Sequence, residues 1–388
     1  MAGPERVPLT QVADLMGPGQ PLPFRVLDGA GRLLLAQGQV IHDGRQLAAL
    51  LERGACVERI EADEVRRTRA AGASSGPVMR ARVSSWFDRW EQQVWALDGL
   101  LRRLAAGTPD EGLRGGLDAL ADGCIELVGR QPDAALFVAV RQDDRRFALY
   151  ALTHALHTAA VAWLAAGVAG WPDPARRTLV RAALTMNASI VELQARMAEQ
   201  KEPPSRGQIE QIRSHPHRSA ALLRGAGIDD VEWLTAVEDH HERAGPDGYP
   251  RGHGEPGELA RLLRAADVYT AKISPRALRV PLPPQQAARE LFQTEQGGPL
   301  AGALIKAVGV YPPGDLVQLR NGEGGVVVQR ATAARATQVA VLLNAQGRPV
   351  AGAPRRDTGE AATAIAGPLA DRSAISRVLP EVVYGLLV

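Results

Sequence analysis

The residues best suited to chemistry in this sequence are histidines in the middle of the chain. His240 and His241 are adjacent, and His215 lies on a helix predicted just upstream. Histidine offers a neutral imidazole nitrogen, which is a common ligand for transition-metal ions. An isolated histidine pair is more often a surface or helix-capping feature. These histidines therefore acquire a chemical meaning only from the residues around them.

An ordered series of short motifs surrounds the histidines. In chain order they are residues 154–157 (His-Ala-Leu-His), 214–216 (Ser-His-Pro), 240–243 (His-His-Glu-Arg), 248–250 (Gly-Tyr-Pro), 265–269 (Ala-Ala-Asp-Val-Tyr) and 309–314 (Gly-Val-Tyr-Pro-Pro-Gly). In order and spacing, this series resembles the HD-GYP family of bacterial cyclic di-GMP signalling. The resemblance covers roughly residues 145–315 and extends loosely into both flanks.

The resemblance implies a helical bundle that binds two or three metal ions, usually iron or manganese, and hydrolyses cyclic di-GMP. Metal ions neutralise the charged phosphate and activate the attacking water in such reactions. By the same resemblance, His154 and Asp267 belong to one metal ion, and Arg276 and Arg279 face the phosphates of the ligand. The second ion would be held by His215, His240 and His241.

The sequence departs from the family at its defining His-Asp pair. Aligned on residues 182–184, the pair's positions hold Met186 and Asn187. Methionine is a poor ligand for these harder metals, and neutral asparagine bridges two cations badly. The glutamate of the three-metal subgroup is replaced by Tyr150, and residues 245–247 differ from the usual loop. We therefore expect a degenerate site with weak or no hydrolysis.

These departures leave the cofactor and the function open between stated alternatives. The three histidines of the second site hold either one divalent ion, iron or manganese, or none. The favoured function is a catalytically impaired HD-GYP protein that acts by protein contact or by binding cyclic di-GMP. The alternatives are a residual metal-dependent cyclic di-GMP phosphodiesterase and a purely structural descendant.

A loop with a tyrosine between glycine and proline is the predicted contact surface. Gly248 gives the backbone freedom, and Pro250 fixes the turn that follows. Tyr249 between them offers a large amphipathic contact at low entropy cost. The resemblance associates this loop with diguanylate cyclase domains of the GGDEF type, so we expect such a domain as the partner.

Hydrophobic periodicity predicts a mainly α protein, an HD-type helical bundle between a small N-terminal α/β module and a small C-terminal antiparallel β module. The predicted divisions are residues 1–70, a linker over 71–78, a helical lead-in over 79–144, the HD-GYP-like domain over 145–311 and the β-rich module over 312–388. The predicted helices of the two middle divisions cover residues 111–130, 145–169, 175–199, 207–225, 231–243, 256–272 and 284–293.

The bulk properties favour no strongly charged partner. The 388 residues carry a formal net charge of +2 and no concentrated basic run, so a nucleic-acid binder is not expected. Cys56 and Cys124 form neither a metal pattern nor a disulfide framework, which fits a reducing cytoplasm. No uninterrupted apolar run reaches the ~18 residues of a membrane span. We therefore expect a cytoplasmic protein without a membrane span.

Overall fold

The computed structural model places most of the chain. It describes residues 5–16, 20–41, 44–70, 85–107, 111–142, 146–243, 245, 247–252, 254–370, 375, 378, 380–385 and 387. The predicted linker over residues 71–78 lies outside the described residues, as does Pro246 of the altered loop. The described residues form a helical bundle, which a four-stranded sheet precedes and a five-stranded sheet follows along the chain. The mainly α fold class is therefore confirmed.

The N-terminal module is a small antiparallel sheet with two helices. Its strands are β1 (Arg6–Pro8), β2 (Val26–Leu27), β3 (Leu33–Leu35) and β4 (Cys56–Glu58), in the order β1-β4-β2-β3. Its helices are α1 (Gly44–Glu52) and α2 (Arg59–Ala70). Strands β2 and β3 pair as an antiparallel hairpin. Its turn is held by Asp28, whose carboxylate accepts backbone N–H bonds from Ala30 and Arg32.

The bundle consists of eleven helices among the described residues. They are α3 (Trp86–Ala105), α4 (Glu111–Arg130), α5 (Pro132–Val140), α6 (Tyr150–Val168), α7 (Asp173–Thr185), α8 (Val191–Glu199), α9 (Arg206–Gly225), α10 (Val231–Asp239), α11 (Glu258–Ile273), α12 (Pro284–Thr294) and α13 (Pro299–Val308). The alanine-rich α6 is buried on nearly all sides and packs against α5, α7, α11 and α13. Small side chains permit this central position because they let neighbouring helices approach closely.

One predicted helix is two helices. The sequence predicted a single helix over residues 175–199, which is wrong because the chain leaves helical geometry between α7 and α8. Asn187 has φ −104° and ψ 14°, and a 3-10 turn follows at Ala188–Ile190. The backbone N–H of Ser189 donates to Ser219 Oγ at 3.1 Å, and its hydroxyl donates to the His215 carbonyl at 3.1 Å. Bonds to α9 thus hold the break in place.

Helix α6 bears on the expectation that the chain has no membrane span. Together with the 3-10 turn before it, this helix covers Phe147–Val168 and is long and apolar enough to cross a membrane by length and composition. His154 and His157 interrupt this segment, so it is not an uninterrupted apolar run. In the structure 78% of its most apolar window is buried among other helices, as in the core helix of a globular bundle.

The C-terminal module is an antiparallel sheet closed by a short helix. Its strands are β5 (Leu316–Leu319), β6 (Gly324–Gln329), β7 (Gln338–Leu343), β8 (Arg355–Asp357) and β9 (Ile365–Pro368), in the order β8-β7-β6-β5-β9. Helix α14 (Pro380–Tyr384) follows the sheet, and the Tyr384 hydroxyl donates to the Val328 carbonyl at 2.6 Å. The predicted C-terminal module is therefore antiparallel β among the described residues.

Buried ion pairs fasten the N-terminal module to the bundle. Arg53, just after α1, forms two hydrogen bonds to Asp98 of α3, and these side chains are only 6% and 2% exposed. Burial would lower the pKa of Arg53, but the hydrogen bond and charge of Asp98 raise it above its ordinary value. Arg146, which precedes α6, also donates to the Leu34 carbonyl of β3 at 3.2 Å. The module and the bundle therefore share a charged interface.

Candidate functional site

Three predicted histidines meet in the bundle. Helix α9 carries His215, and the residues directly after α10 are His240 and His241. One nitrogen of each ring lies within 4.8 Å of those of the other two, and within the described residues this is the group of side chains arranged to hold a metal ion. Asp230 positions α10, since its side chain caps the helix by accepting a bond from the Trp233 N–H at 3.1 Å.

The hydrogen bonds of two of these histidines fix where their lone pairs point. The Nδ1 atom of His215 lies 2.6 Å from the Ile212 carbonyl, and that of His240 lies 2.6 Å from the Val237 carbonyl. A carbonyl only accepts, so each Nδ1 carries the proton. The two Nε2 atoms then face each other at 3.1 Å without a proton between them. Two opposed lone pairs at this distance repel each other unless a cation lies between them.

The 3.1 Å spacing of the His215 and His240 Nε2 atoms fits one shared ion. Nitrogens that each lie about 2.1 Å from a common ion are about 3.0 to 3.4 Å apart at octahedral or tetrahedral angles. A backbone carbonyl bound to the other ring nitrogen is also the usual support for a metal-binding histidine. The donor set of His215, His240 and His241 therefore fits a divalent transition-metal ion, which is the first of the two alternatives that the sequence left open.

Burial keeps this cluster neutral. It lowers the pKa of His215 to about 3, with a further contribution from His240. The pKa values of His240 and His241 also lie below the ordinary histidine value, mainly because of burial. At neutral pH all three rings are therefore neutral imidazoles, the form of histidine that binds metals.

A carboxylate borders the cluster. The His154 Nε2 atom on α6 lies 2.7 Å from Asp267 Oδ1 on α11, and Asp267 Oδ2 lies 4.0 Å from His241 Nε2. Burial would raise the pKa of Asp267, but the hydrogen bond from His154 and the nearby histidines lower it below the ordinary range. Asp267 is therefore ionised at neutral pH. The structure brings together all five predicted metal ligands, with His154 bonded to Asp267.

The two predicted phosphate-binding arginines lie on a turn after α11. Their backbones pair with each other, with the Arg279 N–H donating to the Arg276 carbonyl at 3.1 Å. Within the described residues, neither guanidinium lies within 4.0 Å of a carboxylate. Arg276 donates instead to the Tyr150 hydroxyl, and Arg279 donates to the Ala271 carbonyl. Two cationic groups without a carboxylate partner are suited to an anion.

Met186 and Asn187, which the sequence predicts at the positions of the His-Asp pair, lie at the break between α7 and the 3-10 turn. Met186 is fully buried in the apolar core, and Asn187 is 6% exposed. Neither belongs to the described group of metal-capable side chains, and neither supplies a carboxylate. The break is held through Ser189, in the bonds to α9 given above. Hydrogen bonds to α9 therefore hold the backbone in place at Met186 and Asn187.

The loop with the predicted contact tyrosine closes one side of the site. The Tyr249 ring stacks on His241, with centroids 4.5 Å apart and planes 23° apart. A Cβ atom at Gly248 would lie 2.5 Å from the Arg243 backbone nitrogen, so only glycine fits there. Tyr249 is half-buried, and Pro250 lies at a shallow groove beside α9. The ring expected to contact a partner thus also forms a wall of the histidine cluster.

Three charged residues that position this loop were not singled out from the sequence. The buried Glu242 carboxylate accepts backbone N–H bonds from Arg251 at 2.6 Å and from Gly252 at 3.2 Å. The Arg251 side chain forms an ion pair with Asp239, the last residue of α10. The signal was available in the run Asp239 to Glu242, since acidic residues flank the histidine pair on both sides.

Comparisons with known proteins point to the class that the motifs suggested. None of the known family profiles matches the chain. The chain is 33% identical over 125 residues to the cyclic di-GMP phosphodiesterase PA4108 of Pseudomonas aeruginosa. The match covers 31% of this chain and 30% of that protein, so the chain spans less than a third of that relative's length.

The chain also aligns with a solved structure. Bd1817, an HDG"Y"P protein from Bdellovibrio bacteriovorus, aligns with 78% of this chain and 99% of its own, with a TM-score of 0.49 and 15% sequence identity.

Proposed function

We propose that this chain is an HD-GYP-family protein of cyclic di-GMP signalling that binds one divalent metal ion and the cyclic dinucleotide, and hydrolyses it weakly or not at all. The observation that carries this proposal is the pair of unprotonated Nε2 atoms of His215 and His240, 3.1 Å apart and converging with His241. The partial sequence similarity to a cyclic di-GMP phosphodiesterase supports the choice of ligand.

Each group around the site has a separate role in this proposal. His215, His240 and His241 would hold the metal ion, which when bound supplies positive charge for a phosphate and acidifies water. Asp267 is ionised and is oriented by His154 through their 2.7 Å hydrogen bond. The guanidinium groups of Arg276 and Arg279, which have no carboxylate partner within the described residues, bind the phosphates, because a planar fork of N–H donors matches phosphate oxygens.

Weak hydrolysis follows from the missing carboxylate. Two-metal hydrolases place paired ions on both sides of the reacting phosphate, and a bridging carboxylate normally keeps those ions together. At the corresponding positions this chain has Met186 and Asn187, which supply no negative charge. The remaining ligands support one ion better than two.

Metal content and ligand binding test the proposal together. Anaerobically purified wild type should hold close to one manganese or iron ion per chain and bind cyclic di-GMP in calorimetry. His240→Ala should lower the metal affinity at least about tenfold. His217→Ala is the matched control, since His217 is exposed and paired with Glu238. Wild type that binds neither metal nor cyclic di-GMP would make the chain a purely structural descendant.

Residual phosphodiesterase activity is the second candidate. The intact His154 to Asp267 pair beside the three histidines favours it, because an ionised carboxylate and neutral imidazoles are the groups such hydrolysis needs. Conversion of cyclic di-GMP to its linear form with added manganese measures it. Turnover of roughly 1 per second or faster, as is typical of enzymes, would contradict the impaired site.

The proposed protein partner is a diguanylate cyclase domain that contacts the loop of Gly248, Tyr249 and Pro250. The loop borders a groove lined by α9 residues such as Arg213, whose guanidinium carbon lies 5.8 Å from the Tyr249 ring. Pro250 lines this groove, so Pro250→Ala alters the surface that a partner would contact. Equal recovery of such a domain by wild type and Pro250→Ala in a pull-down would contradict this contact.

A further inference from the structure

Tyr150 and Arg276 make a paired contact that has no assigned role. The buried Tyr150 hydroxyl accepts hydrogen bonds from Arg276 Nε at 3.0 Å and from Nη2 at 2.5 Å. The Arg276 guanidinium carbon also lies 5.0 Å from the centre of the Tyr150 ring. Both bonds use the same edge of the planar guanidinium, so its orientation is fixed by one phenol oxygen.

The opposite edge of this guanidinium is available. A guanidinium carries five N–H groups, and the phenol uses one on Nε and one on Nη2. Within the described residues, the Arg276 side chain makes no other hydrogen bond and no ion pair. The edge formed by Nη1 and Nη2 is therefore left to bind two oxygens of a phosphate in parallel.

The Tyr150 ring is held in place by His154, which lies beside the histidine cluster. The Tyr150 ring stacks on His154, with centroids 5.6 Å apart and planes 6° apart. The same His154 is hydrogen-bonded to Asp267. A continuous chain of contacts thus runs from the carboxylate of the site through His154 and Tyr150 to Arg276.

We propose that Tyr150 is a positioning residue for ligand binding, whose hydroxyl holds Arg276 so that the free edge of the guanidinium binds a phosphate beside the His154 and Asp267 pair. This inference rests on the proposed binding of cyclic di-GMP. It assigns a role to the position where the sequence carries a tyrosine in place of a metal-binding glutamate. An arginine that this phenol orients supplies positive charge to a phosphate without a further metal ion.

Binding measurements on conservative variants test the positioning. Tyr150→Phe removes only the hydroxyl and should weaken cyclic di-GMP binding about tenfold, the usual effect of losing a hydrogen bond to a charged group. Tyr269→Phe is the matched control because the Tyr269 hydroxyl is also buried but has no hydrogen-bond partner among the described residues. It should bind the ligand within about twofold of wild type.

A double-mutant cycle shows whether Tyr150 acts through Arg276. If it does, Tyr150→Phe should cause little further loss in an Arg276→Ala background. An equal loss in both backgrounds would overturn the proposal, as would unchanged binding in the single variant. A parallel loss of bound manganese in Tyr150→Phe would also overturn it, since the tyrosine would then act on the metal cluster.

A measurement without ligand separates this inference from the proposed function. The Arg276 Nε–H proton should exchange slowly in the nuclear magnetic resonance spectrum of wild type and of Tyr269→Phe, and quickly in Tyr150→Phe. An unchanged exchange rate in Tyr150→Phe would overturn the positioning of Arg276. Failure of wild type to bind cyclic di-GMP, with slow Arg276 exchange, would instead overturn the proposed function and retain Tyr150 as the residue that orients Arg276.

Discussion

At the scale of single residues, protonation decides what this site can do. The Nδ1–H groups of His215 and His240 donate hydrogen bonds to backbone carbonyls, and the Nε2 lone pairs of the two rings face each other. The carbonyls belong to residues three positions earlier in the chain, so the geometry is a property of each helix turn. The convergence of two such turns produces a site for a cation.

Restoring the replaced pair should restore a second metal ion. We expect Met186→His combined with Asn187→Asp to raise the metal content from about one toward two ions per chain, because an added carboxylate can bridge two cations. Turnover of cyclic di-GMP should rise at least about tenfold. Elemental analysis and a turnover assay measure both effects.

The single variant Met186→His is the control for this restoration. It adds an imidazole but no bridging charge, and it should not bind a second ion. If the double variant also holds one ion, residues 186 and 187 do not correspond to the pair that the alignment assigned to them.

Acid should destabilise the protein through a buried histidine outside the metal cluster. His157 stacks on Trp90, its Nδ1 atom has no hydrogen-bond partner among the described residues, and burial lowers its pKa to about 3. The unfolded chain takes up this proton near pH 6.5, where the folded chain does not. Stability contributed by the neutral ring is therefore complete above about pH 6.5 and decreases as the pH falls toward 3.

Urea unfolding at pH 7, 6 and 5 measures this dependence. The free energy of unfolding of the chelator-treated wild type should fall as the pH falls. His157→Leu should show a shallower slope by up to about 1.4 kcal/mol per pH unit, the value for one proton. Equal slopes for the two proteins would show that His157 takes up its proton in the folded state.

At the scale of elements, α9 and the residues directly after α10 carry the three histidines, and the break between α7 and α8 is held against α9. The sequence predicted a continuous helix over 175–199 because the apolar period continues across residues 186–190. The break depends on Ser189, whose partners Ser219 and the His215 carbonyl lie on α9. Periodicity reports which face of a segment is apolar and contains no information about such distant hydrogen bonds.

The loop of Gly248, Tyr249 and Pro250 should tolerate no side chain at its first position. Gly248→Ala places a Cβ atom 2.5 Å from the Arg243 nitrogen and 2.9 Å from the Glu242 carboxylate. We expect it to lower the free energy of unfolding by about 1–3 kcal/mol, as overpacking does. It should also weaken metal binding, because Tyr249 stacks on His241.

Gly254→Ala provides the comparison for this loop. Nothing lies within 4 Å of a Cβ atom there, so the change in stability should stay within about 0.5 kcal/mol. Thermal unfolding and metal content of the two variants show whether a side chain at Gly248 disturbs the loop and the histidine cluster. Equal values would mean that the loop has room for a side chain and does not support the cluster.

At the scale of the whole molecule, the N-terminal module is part of one packed unit with the bundle. Arg53 and Asp98 are both buried, and Arg102 also donates to Asp98 at 3.0 Å. Breaking a buried ion pair by removing one charge leaves the other charge unpaired, which costs about 3–5 kcal/mol. We expect Asp98→Asn to lower the free energy of unfolding by that amount.

An exposed ion pair is the control for this interface. Arg114 and Asp229 also join distant parts of the chain, but their side chains are 49% and 84% exposed. Asp229→Asn should change the stability by less than about 1 kcal/mol, because solvent screens exposed charges. If both variants unfold at the same urea concentration, the Arg53 to Asp98 pair does not fasten the module.

The sequence by itself determined the fold class and proposed the residues of the site. Apolar periodicity located most helices of the bundle, and the ordered motifs singled out His154, His215, His240, His241 and Asp267. The inference of the fold class succeeds because apolar periodicity depends on residue type and on spacing along a single helix or strand. The same local information suggested that Met186 and Asn187 supply no bridging charge.

Only the tertiary structure decided how these residues act together. It placed the His215 and His240 nitrogens 3.1 Å apart, joined Arg276 to Tyr150 and stacked Tyr249 on His241. His215 and His240 are separated by 25 residues and Tyr150 and Arg276 by 126, so their distances depend on how whole helices pack. Helix packing is the sum of many weak contacts across the core, and no local pattern of residues contains that sum.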